Sequence, residues 1–472
     1  MSHHAGISGD AASEALLLAE VASAASAVAP SPMRWLVLLT FSIVSAQQQI
    51  SWVIPGAVVP NFQAIYGFSL DTIQLLENYG TIFFIVFAVP SMWALDRLGC
   101  RAPVLACVAL MLACNALRFA ARDGSLVSVV CVHLSMVLDA IVGPVVMAAP
   151  SKLAEDWFPA RERTLATAIA ALSNQSGSIV VYALVPLLCP DASELSMFRL
   201  NAAMLGLSAL NVLLAALYFP SHPPSAPSAS AAVSKENEAR VTLLSLLAAW
   251  RTLARDAPYV CVMLAYALTL GIANPQGALL EPSLANLGAS EGLAGWVNAA
   301  AQLASLLLGV AVSAGVDALK RRARWLHKAA LVGTVAASGL LYLAYAATYA
   351  LPPALAEYAL PLAAATYVGG NGFIGAAIPL LFDSAAEHAF GKGPEAAMLM
   401  GLVLPLNIVT LGVLFAPSAS FQSWVNYACA AVALVSAAAL HAFVPSTLER
   451  LDFDLRAEEE KGVGIEAKGQ VE

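Results

Sequence analysis

Charge is scarce in this sequence. Of its 472 residues, 11% are charged and 60% are hydrophobic, whereas a soluble domain has about a quarter of its residues charged. That excludes an ordinary soluble fold. Lysine and arginine are missing altogether from residues 35–96, 329–391 and 393–449, and no basic footprint for nucleic acid is present. No GxxxxGK followed by Ser or Thr occurs, so nothing supports a nucleotide-driven pump, and there is no HExxH zinc motif. No hydrolase elbow and no enzymatic activity are expected. The seven cysteines (100, 107, 114, 131, 189, 261 and 429) follow no metal-ligand spacing, and their odd number argues against a complete disulfide framework. No metal and no cofactor are expected.

What the chain has instead is apolar length. Runs of about 20 residues, each enough to cross a hydrocarbon core of about 30 Å, recur from end to end. Hydropathy, Pro/Gly breaks and charged stops place spans near 34–60, 72–95, 102–121, 126–152, 162–188 and 197–219, then near 258–280, 291–315, 325–349, 353–383, 396–416 and 420–444. The expectation is an all-α polytopic protein with twelve transmembrane helices in two parallel halves, 34–219 and 258–445. Residues 1–33 read as a disordered Ala/Ser-rich tail with no cleavable signal, 220–257 as a Pro/Ser-rich linker with an interfacial helix, and 446–472 as a charged tail. With both termini on one side, that side receives 20 of the 23 Lys and Arg, and the other only Arg118, Arg122 and Arg199. Basic residues collect in cytoplasmic loops, so both termini are expected in the cytoplasm.

The halves echo each other. ALDRLGCR (94–101) has a counterpart in AGVDALKRR (314–322), each two helices into its half. Parallel halves around a site near the midplane are the architecture of major facilitator transporters. Acids and bases at such a mouth can pair when it is closed and separate when it opens. Asp96, Arg97, Arg101, Asp317, Arg321 and Arg163 are the gate candidates. Lys152, Glu155, Asp156, Arg161, Asp383, Glu387 and Glu395 read mostly as a solvated collar.

Several stretches resemble solute carrier family 49: RWLVLLTFSIVSAQQQISW (34–52), YGFSLDTIQLL (66–76), LEPSL (280–284), AGWV (294–297) and IPLLFDSAAEHAFGKGPE (378–395). The fullest match, GPVVMAAPSKLAEDWFPARERTLATAIAAL (143–172), is most similar to the pyridoxine-carrying branch, with some features of the choline or heme branch. The resemblance implies the major facilitator fold and a small organic solute. By residue it implies substrate contacts at Trp52, Gln175 and Asn407. It also shows departures: Asp139 stands where the pyridoxine branch has Asn, and Ala273 and Asn274 stand where choline carriers have aromatics.

Asp139 lies deep inside an apolar helix, where a carboxylate costs at least about 2.5–3.5 kcal/mol. It is a candidate substrate or proton site, with a helix-joining hydrogen bond as the plain alternative. Glu77, nearer the outer end of its helix, is a second proton candidate, or it snorkels to the headgroups. Trp52 offers an aromatic face to a cation. Gly271, Pro275 and Gly277 suggest a break or kink at membrane depth, where backbone lines a cavity or is packed in protein, which makes Asn274 and Gln276 cavity candidates, and Gln47, Gln48, Gln49, Asn298, Gln302 and Asn371 add amides. His133 reads as a packed polar residue. The function expected is secondary transport of a vitamin or amine such as pyridoxine or choline by alternating access, with protons as a candidate second partner. A transport-inactive receptor or scaffold and a facilitative heme exporter are the alternatives. A monomer is expected, in a lysosomal, endosomal or plasma membrane.

Overall fold

A computed structural model describes residues 30–228, 230–232, 242–278, 280–392, 395–414, 421–457 and 459. The N-terminal tail through residue 29, part of the linker and most of the C-terminal tail lie outside the described residues. The described chain has no strand. Its helices are α1 (Arg34–Ala57), α2 (Val59–Tyr66), α3 (Leu70–Leu98), α4 (Arg101–Ala120), α5 (Leu126–Trp157), α6 (Arg163–Leu188) and α7 (Glu194–Leu217) in the first half. The short α8 (Leu243–Leu253) leads to α9 (Ala257–Ala278), α10 (Leu280–Ala285), α11 (Glu291–Leu319), α12 (Trp325–Thr348), α13 (Ala356–Ala389), α14 (Glu395–Leu414) and α15 (Phe421–Phe443). Ten of the described helices are long and apolar enough to cross a membrane. With α6 and α14 they make a twelve-helix fold in two six-helix halves.

Serine marks one face of the molecule. Ser69, Ser125, Ser193 and Ser290 accept hydrogen bonds from first-turn N–H groups of α3, α5, α7 and α11, all helices that begin on the sparsely charged face. Satisfying those orphan donors fixes where each helix starts. GASEG (288–292) spells the letters of a nucleophile elbow, but Ser290 spends its Oγ on Leu293 N at 3.3 Å as such a cap, with no strand before it.

Packing repeats between the halves. In the first, α1 packs on α6 and α3 on α5; in the second, α9 packs on α14 and α11 on α13. Small residues allow the close approaches, as expected where lipid gives no hydrophobic drive to associate. A Cβ at Gly177 of α6 would stand 2.8 Å from Gln49 Cβ of α1, and one at Gly271 of α9 would stand 2.7 Å from Val409 Cγ1 of α14. Of the break or kink expected around Gly271, the break is not found: α9 runs on to Ala278, and Gly271 serves close helix packing. The halves meet along a seam where α6 lies against α11 and α13, and α14 against α3 and α5.

Candidate functional site

At mid-depth the polar residues of the first half converge on α1. Gln47, Gln48 and Gln49 point in three directions, since consecutive helical residues are about 100° apart. Gln47 donates to Ser208 Oγ of α7 at 2.5 Å and accepts from Asn211. Gln49 donates to Ser178 Oγ of α6 at 3.0 Å. Gln48 donates to Asp139 Oδ2 of α5 at 3.2 Å and accepts from Asn174 Nδ2 of α6 at 3.0 Å. Asp139 itself is fully buried and its Oδ1 has no hydrogen-bond partner. It does not open into a cavity, as the sequence suggested for a substrate contact; Gln48 stands in front of it.

The nearest buried cation of the same half is a residue counted above on the outer side. Arg118, in the last turn of α4, is 3% exposed. Its Nε donates to Ser135 Oγ at 3.1 Å, Nη2 lies on Met136 Sδ at 2.6 Å, and Nη1 has no partner. The guanidinium turns inward onto Ser135 and Met136 of α5, about one turn before Asp139, and opposite charges in apolar surroundings attract far more strongly than in water.

Trp52 and Glu77 join α1 to α3. The Trp52 indole N–H donates to the Glu77 carbonyl at 2.7 Å, and Gly80 leaves room for the ring. The Glu77 carboxyl lies against Gly56 of α1, where a side chain would leave it no room. It turns toward α1 rather than snorkelling. His133 Nδ1 meets Tyr79 Oη at 3.1 Å.

Across the seam, Gln175 Oε1 accepts from Ser305 Oγ of α11 at 3.2 Å, the mid-depth link between the halves. Asn371 and Asn407 each donate to the carbonyl one turn back in their own helix, at 3.1 and 2.9 Å. Asn274 is exposed, whereas Gln276 is buried and donates to Asn426 of α15 at 2.8 Å, an amide pair internal to the second half.

The face rich in Lys and Arg is closed. The two acids of the repeated loops sit at equivalent places: Asp96 Oδ2 accepts from Ala397 N at 3.0 Å, and Asp317 Oδ2 from Leu165 N at 2.7 Å. Each acid therefore sits at the N-terminus of a helix of the other half, α14 or α6, where unpaired N–H groups and the helix dipole favour an anion. Lys320 Nζ gathers Asp317 at 2.8 Å, Asp383 at 3.4 Å and Thr164 Oγ1 at 2.8 Å, and His327 Nε2 is 3.2 Å from Asp383. Burial opposes charge on Lys320, but Asp383 and Asp317 outweigh it and hold the ammonium above its ordinary lysine value. Of the other gate candidates, Arg101 bonds the Phe219 carbonyl at 2.9 Å within its own half, and Arg97 and Arg321 are exposed. Arg163 is buried and reaches Asp454 at 3.3 Å.

The expected solvated collar is largely buried. Lys152, Glu155, Asp156, Asp383 and Glu387 all lie in the interior, Glu155 and Glu387 against a helical segment over 449–457. Arg450 pairs with Glu155 at 3.0 Å, its N–H donates to Glu387 Oε2 at 2.9 Å, and Asp454 takes Arg163, Ser230 N and Ser230 Oγ.

The pattern of the Major Facilitator Superfamily matches residues 40–392. The chain belongs to the Major Facilitator Superfamily. It is 27% identical over 416 residues to solute carrier family 49 member 4 homolog of Xenopus tropicalis, covering 84% of this chain and 87% of that one. It is 26% identical over 268 residues to choline/ethanolamine transporter FLVCR1 of Felis catus, covering 55% of this chain and 47% of that one. Among solved structures, the proton:xylose symporter XylE superposes with a TM-score of 0.66 over 90% of this chain and 99% of that one, at 14% identity.

Within this superfamily fold, sequence reasoning missed Arg118, Asn174 and the segment from 449. The last carried a signal, Ser446 followed three residues later by Glu449, the spacing of a helix start. Arg118 carried one too: an arginine one turn inside the end of an apolar helix, on the helix just before the one with an unexplained aspartate. All seven cysteines are free.

Proposed function

We propose that this protein is a secondary transporter that moves a small organic solute of choline or pyridoxine type by alternating access. The observation that carries the reading is the crossed pair of aspartates, Asp96 on the N-terminus of α14 and Asp317 on that of α6. Contacts between an acid and a helix end of the opposite half can be given up without unfolding either half, as a gate requires. The solute would sit between the halves near Trp52, Gln49, Gln175, Asn274, Asn371 and Asn407. Asp139 and Glu77 are the proton-coupling candidates, and the basic face is the cytoplasmic one. The choline side is supported by the relatives named choline/ethanolamine transporters, the pyridoxine side by the likeness of residues 143–172, and the membrane is lysosomal, endosomal or plasma.

The test is uptake of labelled choline and pyridoxine into liposomes holding the purified protein, at about pH 5.5 and about pH 7.5, with Asp139→Asn beside the wild type. Uptake of either that is saturable and collapses or loses its pH response in the variant supports the reading. Uptake that ignores both pH and Asp139 points to a uniporter. No uptake of either solute would sink the substrate assignment and favour a scaffold.

A further inference from the structure

The helical segment over 449–457 follows α15 and is anchored to the second half in three places. Glu387 Oε2 of α13 accepts from the Arg450 and Leu451 N–H groups at 2.9 and 3.3 Å, satisfying donors that the first turn of a helix leaves open. Asp452 pairs with Arg324, just before α12, at 2.8 Å. The Phe453 ring packs on Phe390 with centroids 5.3 Å apart. These contacts make the segment part of the second half.

Two further ties cross the seam. Arg450 Nη2 lies 3.0 Å from Glu155 Oε1 in the last turn of α5, and Asp454 Oδ2 lies 3.3 Å from Arg163 Nη1 at the start of α6. All four side chains are at most 5% exposed. The second tie also takes in the linker that joins the halves: Arg163 Nη2 donates to Ser228 Oγ at 2.8 Å, and Asp454 accepts from Ser230 N at 2.9 Å and Ser230 Oγ at 3.0 Å. The kind of contact differs by place. The aromatic contact stays within the second half, and the two buried ion pairs lie across the seam. A tail that only completed the fold would be served as well by apolar side chains there, since a buried ion pair gains little over a hydrophobic contact once both charges have been desolvated. That near-balance makes such a pair easy to give up where both charges regain water together, as they do when two packed bodies part.

We propose that the segment over 449–457 is a releasable strap that holds the basic face shut. It travels with the second half, and it lets go of Glu155 and Arg163 before that face opens. Because Arg163 and Asp454 share Ser228 and Ser230, the strap and the linker release together. The strap is a second lock beside the crossed aspartates, which hold helix ends of the opposite half, whereas the strap holds side chains. This inference rests on the alternating-access reading above and adds to it what regulates the opening.

The deciding measurement uses the full chain in liposomes and no solute. Hydrogen–deuterium exchange is read by mass spectrometry at the Leu165 and Ala397 amides, which donate to Asp317 and Asp96 in the closed form and exchange when it opens. Asp454→Asn is nearly isosteric and takes the counter-charge from Arg163; both amides should exchange about tenfold faster. Ser230→Ala removes one hydroxyl from Asp454 and is too small a change to unfold the protein; it should speed both about threefold. Asp452→Asn is the control, since its partner Arg324 is half-exposed and belongs to the same half, and exchange should stay within about twofold of the wild type. Amides in the middle of α1 and α12 should be unchanged in all three variants. Exchange at Leu165 and Ala397 that ignores both Asp454→Asn and Ser230→Ala would overturn the strap. So would an Asp452→Asn protein that opens as far as Asp454→Asn, or a rise in Ser230→Ala that spreads equally through α1 and α12, because either would mean general support and not a tie across the seam. The expected exchange pattern in a protein that takes up neither choline nor pyridoxine would keep the strap and remove the solute assignment.

Discussion

On the basic face, charged groups meet the opposite half: Asp96 the N-terminus of α14, Asp317 that of α6, and Lys320 and Asp383 the Thr164 hydroxyl. At mid-depth, Arg118 and Asp139 are buried inside a single half, Arg118 on Ser135 and Met136 and Asp139 on Gln48, which Asn174 holds from behind. Both systems bury charge, yet only the first is broken when the halves rotate apart. Charges shared across the seam set a conformational equilibrium. Charges kept within a half set its internal stability and its response to protons. Substitutions in the two places should therefore fail in different assays.

The largest effects are expected where a charge is stranded. Arg118→Met leaves Asp139 buried without its counter-charge and should destabilise the protein by about 3 kcal/mol, with Arg118→Met/Asp139→Asn recovering part of that loss. Thermal unfolding in detergent would show it, while accessibility of the basic face should stay as in the wild type. A double variant no more stable than the single one would mean that the pair does not act as a pair. Glu155→Gln takes a carboxylate from the fully buried Arg450 and sharpens the contrast, because that pair bridges the body and the terminal segment. It should destabilise by a similar amount and also expose the basic face.

Asp317→Asn comes next. Its charged hydrogen bond to the N-terminus of α6 is the part lost across the seam and should cost about 1.5 kcal/mol, roughly tenfold in the ratio of closed to open, while Lys320, losing Asp317, keeps Asp383. Cysteine labelling at Thr164 in a Thr164→Cys background would read the opening, and melting should change little. Asp96→Asn should do the same on α14. Faster labelling in only one of the two variants would show that the equivalent positions are not equivalent in energy.

Much of this was legible before any coordinates. The helix count follows from apolar length and the two halves from the repeated charged loops, whose acids were expected to pair with bases but accept instead from helix N–H groups of the opposite half. Asp139 stood out because a carboxylate deep in an apolar helix demands a partner. What the sequence hid was direction. Three consecutive glutamines look alike on paper, but Gln47 locks α7, Gln49 holds α6, and only Gln48 reaches Asp139. Which amide serves which neighbour depends on helix rotation and on close approaches such as Gly177 on α1, set by packing across the whole half. Gln276 resembled a cavity residue for the same reason: its type was visible, its pairing with Asn426 was not.

The smallest predicted effect isolates the mid-depth system. Asp123 Oδ1 accepts from Ser125 and Ser128 hydroxyls, both at 2.6 Å, and Asp191 Oδ1 accepts from those of Ser193 and Ser196. Hydrogen bonds from Ser125 and then Ser128 hold Asp123 below the usual carboxylate range, and those from Ser193 and then Ser196 do the same for Asp191. A carboxyl lowered in the folded state contributes stability above its ordinary value of about 3.9 and loses it as pH falls through the lowered one. Both caps therefore stay charged at about pH 5.5 as at about pH 7.5. Asp123→Asn and Asp191→Asn should fray the first turns of α5 and α7, seen as faster amide exchange, and leave the pH profile of uptake unchanged. If either variant flattened that profile, the outer caps and not Asp139 would be reading the proton, and the separation between a seam that moves and a half that senses would fail.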